Sequence, residues 1–139
     1  HACPDLLYEP LIRVPLLIAG VTGQRRGETD PALAVSDDLT PTILDACGLP
    51  VPEQAAGASL APCLRRRNIA PREWAFVRGG PESYCLLGPR YKLLQAPGEE
   101  PRFYDLRADP AESEDLHGAE RLGPVEERFL RAARNLPIQ

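Results

Sequence analysis

Between residues 73 and 106 the chain is a succession of short runs rich in Tyr, Phe, Trp, Val and Leu, and this pattern constrains the fold more than any other. The runs cover 73–78, 84–87, 91–95 and 103–106, and turn residues separate them: Gly79-Gly80-Pro81, Gly88-Pro89 and Pro97-Gly98. Runs of this length and composition, closed by Gly and Pro at near-regular spacing, predict four strands in an antiparallel meander. Asp109-Pro110 then turns the chain, with Asx-type bonding from Asp105 and Asp109 expected to set the turn. Pro124 opens a last helix over 124–136, whose Val125, Phe129, Leu130, Ala133 and Leu136 share one face and can close over the small sheet.

The first half has a different texture. Residues 11–19 form a nearly unbroken apolar run, which predicts a strand over about 14–19, buried on both faces in a mostly parallel sheet. Pro15 places the start of the strand proper after it. A polar, glycine-bearing loop follows to Pro31. A helix is expected over 37–47, with Ser36, Asp37 or Asp38 as its cap and Pro41 in its first turn. Gly48 supplies a left-handed terminus, and Pro50 prevents continuation. Leu39, Ile43, Leu44 and Cys47 recur at helical spacing and predict its buried face. A Pro/Gly-rich connection over 49–58 leads to a short helical turn at 59–65, capped by Ser59.

Composition narrows the function classes. The 139 residues are 43% hydrophobic and 26% charged, a globular balance, and the formal net charge of −4 points away from nucleic acid as a partner. No apolar run approaches the roughly 20 residues of a membrane span. There are 16 prolines, which favour turns and short elements, and no methionine; the opening on His1 reads as the interior of a longer chain. Cys3, Cys47, Cys63 and Cys85 are widely spaced with no Cys-x-x-Cys pair, so no zinc site is expected and no disulfide pairing can be assigned. Cys47 and Cys63 read as buried small hydrophobes.

Three phrases together carry a resemblance. The first is Leu7-Tyr8-Glu9-Pro10 running into Ile12-Arg13-Val14-Pro15-Leu16. The second is Val35-Ser36-Asp37-Asp38-Leu39-Thr40-Pro41-Thr42-Ile43-Leu44-Asp45, ending Cys47-Gly48-Leu49-Pro50-Val51-Pro52. The third is Arg90-Tyr91-Lys92-Leu93, then Phe103-Tyr104-Asp105-Leu106, then Asp109-Pro110-Ala111-Glu112. In order and spacing this set resembles the C-terminal third of sulfatases of the alkaline-phosphatase superfamily. The resemblance implies an α/β architecture, α+β in this segment alone. Residues 1–58 would end the large α/β domain, and 59–139 would form a small C-terminal subdomain of four antiparallel strands and a covering helix.

The resemblance also implies a chemistry. A calcium ion among oxygen ligands and a formylglycine made from Cys or Ser would act on a sulfate ester, with basic groups steadying the sulfuryl oxygens. The nucleophile phrase, Cys/Ser-x-Pro/Ala-x-Arg, is matched at none of the four cysteines. Ala34-Val35-Ser36-Asp37-Asp38 only mimics the first metal phrase, since the downstream helix motif follows it. The second metal phrase would lie just upstream of His1. Catalytic residues, metal ligands and cofactors are therefore expected outside this segment, and no hydrolysis by it alone. The substrate-binding candidates are His1, Arg90 and Lys92. His1 would stand in for a sulfate-contacting lysine or be the metal-phrase histidine at an odd spacing. Arg90 and Lys92, on one strand face, would meet an anionic substrate or be a solvated face. Glu9 with Arg13 is expected as a structural ion pair, Asp38 as a helix cap and Asp45 as solvated. The expected partners are an N-terminal sulfatase domain and a sulfated small molecule or glycan. Family members are often exported. The alternatives are a segment of a related phosphodiester or phosphonate-ester hydrolase, and a non-catalytic structural or binding module.

Overall fold

A computed structural model describes residues 7–66, 72–80 and 82–135. The chain forms two compact units: one from residues 1–14 and 76–139, the other from residues 15–75. Taken by itself the chain thus divides elsewhere than at 58/59, because its N-terminal residues join the small sheet.

The first unit is built on a four-stranded sheet in the order β1-β2-β3-β4, with β1 Ala75–Arg78, β2 Tyr84–Leu87, β3 Tyr91–Gln95 and β4 Arg102–Asp105. The expected meander is present. Its register pairs Cys85 with Leu94 and Leu86 with Leu93 across β2 and β3, then Lys92 with Tyr104 and Leu93 with Phe103 across β3 and β4. Because side chains alternate along a strand, these pairs sort onto two faces. On one face Phe103 stacks with Tyr91 and meets the ring of Phe129 edge-on at 5.1 Å. Phe129 and the buried Ala133 belong to helix α4, Gly123–Arg134, which covers this face as the apolar spacing predicts. Leu136, the last residue of the expected stripe, lies outside the described residues.

The opposite face was not expected to be covered from the N-terminus. Cys85, Leu94 and Tyr104 pack there with the buried Leu7, and with Tyr8 and Ile12 beside it. Leu7 leads into α1, a single turn over Glu9–Ile12 with Pro10 in its first turn. An ideal Cβ on Gly79 would come within 3.0 Å of the Leu7 side chain, so the glycine leaves room for it.

The second unit holds α2, Leu39–Ala46, entered through a 3-10 turn over Ser36–Asp38, and α3, Ala61–Arg65. Gly48 ends α2 with φ +71, as expected of a left-handed terminus. Ser59 Oγ accepts the Ala61 N–H, the first of α3, from one residue before the N-cap position, which Leu60 occupies. Four expectations fail here, wholly or in part. Residues 13–21 form no strand, and Val14 and Leu17 are 75% and 90% exposed. A sheet strand needs neighbours for its N–H and C=O groups, and the run has none among the described residues. The predicted apolar face of α2 is turned out: Leu39, Ile43 and Cys47 are exposed, whereas Asp38, Pro41 and Thr42 are buried.

The third, that Asp38 caps the helix, holds only at its 3-10 entrance: the first N–H groups of α2 have no side-chain partner, while the Asp38 carboxylate accepts the N–H of Val35, the N-cap of that turn. That carboxylate, fully buried, accepts the Val35 N–H at 2.8 Å and the Ala58 N–H at 2.8 Å and pairs with Arg72. It ties the entrance of the helix to the later 57–58 connection. Asp45, expected in solvent, accepts the Ser59 hydroxyl at 2.6 Å and lies 3.6 Å from Arg65.

Candidate functional site

His1 lies outside the described residues. Arg90 precedes β3 rather than sharing its pleat with Lys92, and each is bound to different carboxylates. The Arg90 guanidinium holds Asp105 in a fork, with Nε 3.0 Å from both oxygens and Nη2 2.6 Å from Oδ2. Its side chain remains half exposed and leans over the Tyr91 ring. Asp105 also accepts the N–H groups of Arg107 and Ala108, the expected turn-setting role. The Arg90 hydrogen bonds, working against desolvation and joined by these backbone donors, lower the Asp105 carboxyl below its ordinary range.

Lys92 is the centre of a different constellation. Its ammonium is fully buried, 2.6 Å from Glu112 Oε1 and 3.4 Å from Glu9 Oε1. It also sits 5.9 Å from the centre of the Tyr8 ring, a cation–π distance. Glu112 Oε1 meets the ammonium outside hydrogen-bond alignment, as an ionic contact. Its other oxygen accepts the Glu9 backbone N–H at 2.6 Å. Glu9 therefore takes part in an ion pair, but with Lys92 and not with Arg13, whose backbone N–H instead closes the α1 turn on the Glu9 carbonyl.

Glu112 is the one non-glycine residue with positive φ, +55, among the described residues. A left-handed backbone is disfavoured for such a side chain and persists where surrounding bonds hold it. Asp109 shapes the turn by accepting the Ser113 and Glu114 N–H groups at 2.6 and 2.8 Å. Beside the cluster, the Tyr8 hydroxyl accepts from Arg102 Nη1 at 2.6 Å and lies 3.3 Å from the Tyr104 hydroxyl. Burial, then the Tyr8 contact, pushes the Tyr104 phenol up, and burial pushes the Cys85 thiol up to about 12. Both stay protonated at neutral pH. Cys63 is buried as expected, whereas Cys47 is exposed, and both are free with Cys85.

The arrangement anchors; it offers no nucleophile or open ligand set. Among the described residues no group of three or more His, Cys, Asp or Glu side chains could hold a metal ion. Glu9 and Glu112 are both engaged by the Lys92 ammonium, so this pair is not an open ligand set for calcium. No described helix is long and apolar enough to cross a membrane. Sequence reasoning missed Glu112 as the partner of Lys92, because 20 residues separate them and a positive φ at Glu leaves no mark in composition.

The family described as N-sulphoglucosamine sulphohydrolase, C-terminal, matches residues 4–136, and the chain belongs to it. This is a sulfatase C-terminal domain, as the three phrases implied. A Delta 4,5-hexuronate-2-O-sulfatase of Bacteroides thetaiotaomicron is 34% identical over 122 residues, covering 78% of this chain and 25% of the relative. An N-acetylglucosamine-6-O-sulfatase of the same organism is 29% identical over 125 residues, covering 81% and 22%. The solved structure of BT4656 with its substrate D-glucosamine-2-N,6-O-disulfate superposes at a TM-score of 0.60 over 73% of this chain and 25% of that one; at 24% identity it shows the shared fold. The chain thus spans about a quarter of the length of the relatives it matches.

Proposed function

We propose that the whole protein is a sulfuric ester hydrolase acting on a sulfated sugar, and that this segment mounts and borders its active site without supplying the reacting groups. The family match over residues 4–136 carries the reading, and the sugar-sulfate names of the two Bacteroides relatives support the substrate class. Calcium and formylglycine, usual for the family, are proposed for the portion outside the segment. An N-terminal sulfatase domain is the proposed partner. The exposed Val14, Leu16 and Leu17, and with them Leu39, Ile43, Leu49 and Val51, supply apolar surface for it to cover. The division of residues 1–58 to the large domain and 59–139 to the small one is part of this proposal. Arg90, half exposed, is the proposed substrate contact from the sheet, with His1 a second.

The test is to assay the whole protein and this segment on 4-nitrophenyl sulfate and on sulfated disaccharides with calcium. Turnover by the whole protein and none by the segment is the expected result. Cleavage of phosphonate or phosphate diesters in preference to sulfate esters, or turnover by the segment alone, would overturn it.

A further inference from the structure

The buried Lys92 cluster is more elaborate than packing requires. A charged trio in a core is often no more stabilising than apolar side chains of the same volume, so its geometry is the part that needs an explanation. Two of its members converge on the N-terminal turn, which carries the third, Glu9. Glu112 reaches from the 109–112 turn, against an unfavourable backbone angle, to accept the Glu9 N–H at 2.6 Å. Lys92 reaches from β3 to lie 3.4 Å from the Glu9 carboxylate and 5.9 Å from the Tyr8 ring centre. Arg102, from β4, donates to the Tyr8 hydroxyl at 2.6 Å. Leu7, 1% exposed, is seated against Gly79. Side chains from two strands and a turn thus grip one short stretch, Leu7 through Ile12, at main-chain as well as side-chain atoms.

That stretch packs on one face of the small sheet, ahead of the second unit in the chain. We infer that Lys92 and Glu112 are positioning residues: they form a latch that holds the stretch from Leu7 through α1 in one register on the sheet. The inference rests on the sulfatase reading, in which the reacting groups lie outside the segment. Those that precede Leu7 are then oriented through it. Neither residue touches substrate in this role. A latch of ions and hydrogen bonds has one register, whereas an apolar contact tolerates sliding.

The experiment uses the whole protein with calcium and 4-nitrophenyl sulfate. Lys92→Met and Glu112→Gln are compared with Phe129→Leu, which loosens the opposite face of the same sheet and leaves α1 alone. Rates are taken per folded molecule, well below each melting temperature. The latch variants are expected to lose about tenfold or more in kcat with KM changed less than about twofold, in keeping with the cost of small misplacements in a reacting constellation. Amide exchange should rise over residues 9–13 and stay unchanged in β2 and β3. Phe129→Leu should lower the melting temperature and leave kcat unchanged. Latch variants with normal kcat, or a Phe129→Leu variant that loses as much, would overturn the positioning role. If the wild-type protein cleaves no sulfate ester, the sulfatase reading and the catalytic part of the inference fall together. The exchange contrast still judges the latch: faster exchange at 9–13 in the latch variants alone upholds it, and equal exchange in all variants removes it.

Discussion

At the scale of single residues, several charged groups of this domain are bound to one another. Asp105 is a clear case with a measurable consequence. Its carboxyl is held below the ordinary range, first by Arg90 and then by backbone donors. A depressed folded-state value means the stabilisation is fully present above the unfolded carboxyl range, near pH 4, and is lost as pH falls through the lower folded value. The stability difference between wild type and Asp105→Asn should therefore be flat from neutral pH down to about pH 5, and shrink in more acid solution. Denaturant melts at a series of pH values read this directly, and a difference that grows on acidification would refute the assignment. The turn role of Asp105 was legible in the sequence, because an Asp shortly before Asp-Pro bonds local N–H groups. Its fork with Arg90, across 15 residues, depends on β3 and β4 being neighbours.

At the scale of elements, the sheet and α4 follow from local rules, and α2 does not. Short aromatic runs between Gly and Pro turns leave little choice but to fold back on themselves. The α4 stripe is matched to an apolar sheet face that the same chain supplies. The stripe on α2 reads equally well, yet Leu39 and Ile43 are exposed, at 40% and 62%. The second unit buries Leu60, Ala61 and Cys63 together with a polar junction around Asp38, where Thr42 Oγ1 accepts the Leu60 N–H at 2.8 Å. Gly57 belongs to this junction: an ideal Cβ there would fall 2.1 Å from the Asp37 carbonyl oxygen. Backbone cannot move aside as a flexible side chain can. Gly57→Ala should cost about 1–3 kcal/mol, the usual range for forced overpacking, and more at the top of that range than Gly79→Ala, whose neighbour is the tip of Leu7. Chemical denaturation followed by tryptophan fluorescence and circular dichroism compares the two; equal stability of Gly57→Ala and wild type would show the junction to be loose.

At the scale of the whole molecule, the chain carries more apolar surface than its own core uses. Leu17 is 90% exposed, and Val14 is 75% exposed, in a run whose composition belongs inside a sheet. A lone exposed leucine is ordinary, but an exposed apolar run in a chain that also exposes Leu39 and Ile43 of α2 is the surface proposed above for a partner to cover. Leu17→Asp should leave the stability of the segment by itself within about 0.5 kcal/mol, as surface changes do, read by chemical denaturation. In the whole protein the same change should lower the melting temperature by several degrees, since it puts a charge where apolar packing is expected. An unchanged melt of the whole protein would show that nothing covers this run.

The sequence by itself determined the family, the four-stranded meander, the α4 face and the left-handed end of α2, because each is written in neighbouring residues or in short periods. It also predicted an apolar strand at 14–19, which the structure does not form. Only the tertiary structure decided what the charges do. Lys92, read as a candidate for an anionic substrate, is enclosed by Glu9 and Glu112, 83 and 20 residues away in the chain. No local pattern announces such a pairing. It exists because the N-terminal turn, β3 and the 109–112 turn are folded against one another, and because a buried ammonium must find its counter-charges wherever the fold brings them.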